Sequence, residues 1–412
     1  MSAIQDNQIH PGSITLPRGF RAGSATAGIK VSGKPDITVI AADRPVVAAG
    51  VFTRNTIKGA PVLIGMQHIR DGKLQAIVVN SGNSNVCTGD QGLADATEMC
   101  ELVAKHLGCK TTDVLPSSTG VIGRPLPMDK IRAGINDALD QINSGKEADH
   151  DAAVAILTTD LVAKEASRTV TLTDGSTITL GGIAKGSGMI APNMATMLAY
   201  ITTDCDIDSN MLSQALKQAV SQSFNRITVD SDTSTSDTVI VLASGDAKNK
   251  TIARECTDYE TFVEALISLS KELAYMIIED GEGAERIFKV IVKNAATIDD
   301  ADAIGRAVAD SPLVKAAVHG KDPNWGRLAM AMGKTGIAYD ATKLRISIGD
   351  IDVFSAGMPI EMDKDNQSTL ENMMSQKEIT FTFDLANGNQ TVEWLGCDLS
   401  RDYIAINADY TT

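Results

Sequence analysis

The sequence predicts an α+β fold, with mixed or antiparallel sheets covered by helices. Three observations point there. Strand-like and helix-like segments alternate, with helices in the minority. A hairpin signal, Asp174-Gly175, interrupts the alternating stretch Arg168 to Leu180. No internal repeat or low-complexity linker organises the chain into an array.

Taken in order, Asp36 to Phe52 is rich in Val, Ile and Ala and predicts paired strands. Leu74 to Val79 is a short apolar strand that stops at a polar loop, Asn80-Ser81-Gly82-Asn83. Met99, Val103 and Leu107 share one face of a helix over Leu93 to Leu107, and Ile131, Ile135, Leu139 and Ile142 mark a second. Thr196 to Thr203 is apolar and β-prone. Helices follow at Leu212 to Phe224 and Tyr259 to Ile278, then a strand at Phe288 to Val292 and a helix over Ala301 to Val318. Leu344 to Phe354, Ile379 to Leu385 and Gln390 to Leu395 return to strands, the last two joined by Asn387-Gly388.

Composition narrows the class. A chain of 412 residues favours two domains or lobes. Its aromatic content is only 4%, so the core must come from Ala, Val, Ile, Leu and Met. The net charge of −15 and the lack of Lys/Arg clusters argue against nucleic acid and anionic lipid as partners. Met1 to Phe20 lacks the basic-then-apolar pattern of a secretory signal, and no apolar run reaches the roughly 18–20 residues of a membrane span. Six cysteines without a CxxC pair read as free thiols in a reducing compartment, so a cytoplasmic location is expected.

Several motifs fail on inspection. Gly333-Lys334-Thr335 resembles the end of a phosphate loop, but Leu328 stands where the first glycine belongs. Asp230-Ser231-Asp232 opens like a calcium loop, yet Thr235 replaces the turn glycine and Val241 the bidentate Glu. The histidines His10, His68, His106, His150 and His319 form no zinc motif, so no metal is expected. No GxSxG elbow is present.

The segment Gly181-Gly182-Ile183-Ala184-Lys185-Gly186-Ser187-Gly188-Met189-Ile190-Ala191-Pro192-Asn193-Met194-Ala195-Thr196-Met197 stands apart. Its glycines permit close approach and positive φ, and Pro192 restricts itself and Ala191. On composition alone this is a glycine-rich connection into a core strand. It also resembles the signature of the ornithine acetyltransferase (ArgJ) family, the glutamate N-acetyltransferases of arginine biosynthesis. Further segments resemble that family in order: Ser118-Thr119-Gly120-Val121-Ile122-Gly123, Asp232 to Thr238, Asp280-Gly281-Glu282-Gly283-Ala284, Asp322 to Arg327, and Asn407 to Thr412. Together they run from about residue 15 to the last residue.

The resemblance implies a DmpA/ArgJ-like sandwich of the N-terminal-nucleophile type. It implies autocatalytic cleavage between Ala195 and Thr196, giving an α fragment, 1–195, and a β fragment, 196–412, that stay associated. Two of each would form a heterotetramer. Thr196 becomes the nucleophile, and Thr119 and Gly120 supply a hydroxyl and an N–H to the oxyanion. Thr159, Lys185, Thr196, Glu282, Asn407 and Thr412 bind substrate, with Asp280 a rival to Glu282 for an ammonium. Acetyl would pass from N2-acetylornithine to Thr196, releasing ornithine, and then to glutamate, giving N-acetylglutamate. No tightly bound cofactor is implied; acetyl-CoA is an alternative donor in some members. Two positions depart from the family pattern. Leu161-Val162-Ala163 precedes Lys164 where a Thr and a Pro are usual, and Lys321 replaces a small residue.

The chemistry is sound in itself. A threonine hydroxyl needs a base, and at a chain's start its own α-amine, with a pKa of roughly 7.7–8, can serve. No histidine is then required. Two rivals stand beside this reading: a DmpA-type self-cleaving aminopeptidase, and a non-catalytic protein of the same fold that stays uncut.

Overall fold

In the computed structural model, residues 12–191 and 197–409 are described. Among them the strands gather into two mixed sheets. The first holds β1 (Phe20–Ala25), β2 (Ile37–Phe52), β3 (Lys73–Asn83), β4 (Val114–Val121), β5 (Lys164–Thr171), β6 (Thr177–Lys185), β7 (Leu198–Thr203) and β9 (Thr238–Ala243). Its order is β4-β3-β2-β9-β7-β6-β5, with β1 laid on β2. The second holds β8 (Ile227–Thr228), β10 (Ile287–Ala295), β11 (Arg345–Ile348), β12 (Ile351–Ser355), β13 (Met358–Pro359), β14 (Glu378–Asp384) and β15 (Gln390–Cys397).

Burial explains the continuous apolar strands. Every residue of β7 and β9 is buried, because helices cover both faces of the first sheet. Ala199, Ile201, Val239 and Val241 share a core with the helices Ser209–Ser221 and Thr257–Glu279. Leu198, Tyr200, Ile240 and Leu242 face the opposite way, toward Ala152, Ala153 and Ile156. The second sheet has its own core, in which Phe288, Phe381 and Trp394 meet the helices Ile298–Ala309 and Trp325–Gly333. The α+β prediction therefore holds, with aliphatic side chains filling most of the interior.

Strands from both sides of the 195/196 junction interleave. β6 pairs with β7 antiparallel, and β9 lies between β2 and β7. The expected cleavage junction, Ala195 and Thr196, lies outside the described residues, as does Thr412.

Four local expectations change. Asp36 to Phe52 is not a pair of strands: Ile37–Phe52 is one long strand with an irregularity between Ala41 and Val46, where Asp43-Arg44-Pro45 is exposed. The polar run Asn80 to Asn83 is not a loop but the end of β3, because its polar groups are satisfied. Asn80 accepts from Ser118 Oγ at 2.5 Å and donates to the Asn83 carbonyl at 2.9 Å, and Ser81 Oγ bonds the Ala155 carbonyl at 2.5 Å. The helix over Ala301 to Val318 is two helices, Ile298–Ala309 and Pro312–His319. Pro312 cannot continue the first, and Ser311 caps the second through the Val314 N–H. Finally, Asn387-Gly388 joins strands that are not neighbours, since β10 lies between β14 and β15.

The unusual Lys321 sits in a left-handed turn at φ 56°, just after the helix Pro312–His319. A residue with a Cβ there costs roughly 1–2 kcal/mol, partly offset by the entropy that glycine loses on folding. Lys321→Gly should therefore raise unfolding stability by about 0.5–1 kcal/mol in urea titration. Among the described residues no helix is long and apolar enough to cross a membrane.

Candidate active site

The parallel pairing of β3 and β4 sets Ser81 beside Thr119 and Gly82 beside Gly120. Gly120 has φ 129°, and a Cβ on it would meet Asn83 N at 2.6 Å, so only glycine fits. From the other side, β6 ends at Lys185 and delivers its ammonium to Thr119, with Nζ donating to Oγ1 at 3.2 Å. A lysine ammonium only donates, so the Thr119 oxygen accepts and its own hydrogen is free to point elsewhere.

Beyond Lys185 the chain turns through Gly186-Ser187-Gly188. Ser187 Oγ lies 2.8 Å from Thr159 Oγ1, and the Ser187 carbonyl accepts the Glu282 N–H at 2.9 Å. A Cβ on Gly188 would collide with the Glu282 carboxylate. Asn407, on the carboxyl-terminal helix Arg401–Asp409, donates to Glu282 Oε2 at 2.8 Å. Thr119, Gly120, Thr159, Lys185, Glu282 and Asn407 thus line one cavity of about 210 Å³. Met197, the residue following Thr196, also lines it.

A buried cation ties these loops together. Lys164 is fully enclosed, with Nζ 2.7 Å from Asp160 Oδ1 and 2.6 Å from Asp280 Oδ2. Asp160 also accepts the N–H groups of Gly186 at 2.6 Å and Thr158 at 3.1 Å. Burial alone would raise its pKa, but Lys164 and Lys185, with the hydrogen bonds from Lys164 and Gly186, hold it down at about 2. Asp280 is thereby committed to Lys164, which leaves Glu282 as the carboxylate facing the cavity. The departures at 161–163 have an account here. The N–H groups of Leu161 and Val162 reach Asp280 Oδ2 at 3.0 and 3.4 Å, while their side chains are 82% and 56% exposed. Main-chain bonds shape that turn whatever the side chains.

Sequence reasoning missed further residues. Asp230, set aside as a failed calcium ligand, accepts the N–H groups of Met189 and Ile190 at 2.6 and 2.8 Å and the Tyr403 hydroxyl at 3.1 Å. It holds Met189 at φ 56°, a left-handed position that costs a non-glycine residue roughly 1–2 kcal/mol. Asp237 is buried in the cavity wall, and burial pushes its pKa well above the ordinary carboxylate value. Burial also lowers the pKa of Lys185. Only the run of Asp and Thr residues around Asp237 gave a hint of this in the sequence.

Glu285, His319 and Asp398 come within metal-ligating reach of one another, outside the cavity. Their atoms are already engaged: His319 Nδ1 lies 2.8 Å from Asp398 Oδ2, and the Arg286 guanidinium lies 3.2 Å from Glu285. Asp398 also accepts the N–H groups of Glu285 and Arg286 at 2.9 Å, tying the end of β15 to the start of β10.

Two expectations test the buried triad. Lys164→Met leaves Asp160 and Asp280 as unpaired buried charges and should cost about 3–5 kcal/mol in denaturant titration. Asp160 titrates near 3.9 in an unfolded chain and about 2 in the fold. Its contribution is complete above pH ~4 and is lost as pH falls through about 2, so acid unfolding of the wild type should steepen in that window and that of Asp160→Asn should not.

Residues 21–412 match the profile of the ArgJ family. The chain is 45% identical over 403 residues to the arginine biosynthesis bifunctional protein ArgJ of Symbiobacterium thermophilum, covering 97% of this chain and 99% of that one. The protein of the same name from Oceanobacillus iheyensis is 44% identical over 402 residues, with 97% of each chain covered. Among solved structures, ornithine acetyltransferase of Mycobacterium tuberculosis complexed with ornithine is 40% identical. It aligns with a TM-score of 0.42 over 45% of this chain and 98% of that one.

Proposed function

The chain belongs to the ArgJ family of arginine biosynthesis, and on that premise we propose that it moves acetyl from N2-acetylornithine to glutamate through an ester on Thr196. The observation that carries this reading is the convergence of Thr119, Gly120, Lys185 and Glu282 on one cavity that Met197 also lines. The nucleophile is thus expected one residue from that wall. The aminopeptidase alternative falls away, because relatives about 45% identical along almost the whole chain are arginine-biosynthesis proteins.

The chain first cuts itself. The Thr196 hydroxyl attacks the Ala195 carbonyl, the peptide C–N bond breaks as the ester forms, and water hydrolyses that ester. This frees the Thr196 α-amine and the Ala195 carboxylate. Pairing of β6 with β7, and of β9 with β2 and β7, supports fragments 1–195 and 196–412 remaining associated. Two of each would form the heterotetramer.

In turnover the α-amine takes the Thr196 hydroxyl proton as the oxygen attacks the acetyl carbonyl. The Thr119 hydroxyl, already accepting from Lys185, donates with the Gly120 N–H to the developing oxyanion. The proton passes to the departing amine and ornithine leaves. The α-amine of glutamate then attacks the ester carbonyl, the C–O bond to Thr196 breaks, and the amine's proton passes through the Thr196 α-amine to the departing oxygen, releasing N-acetylglutamate. Glu282 answers the ornithine ammonium, and Thr159, Asn407 and Thr412 offer hydrogen bonds to bound substrate.

The bifunctional designation of the relatives supports acetyl-CoA as a second donor. The free cysteines suit a reducing cytoplasm.

Intact mass tests cleavage: wild type should give two fragments, and Thr196→Ala one uncut chain without transfer activity. A wild type that is whole yet fully active contradicts the reading. Thr119→Val should lower kcat by about 10²–10³-fold with little change in KM.

A further inference from the structure

Under the acetyl-transfer reading, on which this inference rests, one site serves both ornithine and glutamate and so meets side chains of opposite charge. An ammonium can meet Glu282, but a γ-carboxylate is repelled by it. Among the described residues lining the cavity, Lys185 is the one cation, against the carboxylates of Asp230, Asp232 and Glu282. Lys185 is already directed at Thr119.

Lys30 reaches two segments next to residues that line this cavity. Its backbone is fixed by the buried Asp36, whose carboxylate accepts the N–H groups of Ala27 and Ile29 at 2.6 Å and of Lys30 at 3.1 Å. Its stem crosses Gly82, the strand partner of Gly120; a Cβ on Gly82 would lie 3.1 Å from Lys30 Cγ. Its Nζ donates to the Leu157 carbonyl at 3.1 Å, immediately before Thr158 and Thr159, which both line the cavity. Lys30 therefore links β3, at the partner of Gly120, to the Thr158-Thr159 turn. Among the described residues its ammonium has a neutral carbonyl as partner and no salt bridge, so two donors remain unused. Burial without a paired carboxylate draws its pKa down to about 8.

We infer that Lys30 is a specificity residue for the acceptor, its ammonium receiving the γ-carboxylate of glutamate while Glu282 serves the ammonium of ornithine. The acceptor and the departing product would then share the α-amino acid subsite but be read by different charges.

The test compares glutamate with its uncharged isostere, glutamine, as acceptors for wild type, Lys30→Met, Lys30→Gln and Lys30→Arg. Ornithine release from N2-acetylornithine without an acceptor is measured alongside. Loss of one charge-assisted contact should raise KM for glutamate by about tenfold in the Met and Gln variants. Their use of glutamine and their release of ornithine should be unchanged, and Lys30→Arg should keep most of the preference for glutamate. Equal loss with glutamate and glutamine, or an unchanged KM for glutamate, would overturn the inference. If wild type itself releases no ornithine, the acetyl-transfer reading fails instead.

Discussion

The ammonium of Lys164 lies fully enclosed between the carboxylates of Asp160 and Asp280. Removing such charges from water is expensive, and the arrangement persists only because each partner is also bonded elsewhere. Those other bonds reach Gly186, Thr158, Leu161 and Val162. One ion cluster thus sets the Thr158-Thr159 turn, the exit from β6 after Lys185, and the end of the helix that leads to Glu282. Three segments distant in sequence cannot drift independently while it is intact.

The segment that follows β6 is held in a similar way. Asp230 grips Met189 and Ile190 by their N–H groups and receives the Tyr403 hydroxyl from the carboxyl-terminal helix. Gly120 and Gly188 are glycines because a backbone and a carboxylate occupy the space a Cβ would need. Lys185, donating to Thr119 rather than waiting in solvent, joins β4 to this loop. The site's geometry is therefore fixed by main-chain bonds and close approaches more than by packing of large side chains.

Periodicity made the strands and the longer helices legible, and motif resemblance located Thr119, Lys185 and Glu282. Other features depend on contacts that no local pattern encodes. Asn80 to Asn83 reads as a loop because it is polar, yet Ser118 and the Ala155 carbonyl satisfy it within a strand. Asp230 and Lys164 look like surface charges in sequence, and their roles come from partners 41 and 116 residues away. Lys30 carries no motif; only the crossing over Gly82 brings it near the site.

The central claim is that acetyl rests on Thr196 between donor and acceptor. Its most direct measurement is peptide mapping by mass spectrometry after rapid quenching of the enzyme with isotope-labelled N2-acetylornithine and no acceptor. One labelled acetyl group should appear on the peptide that begins at Thr196 and disappear when glutamate is added. Label on Lys185, or complete transfer to glutamate with no labelled enzyme formed under any quench time, would contradict the account.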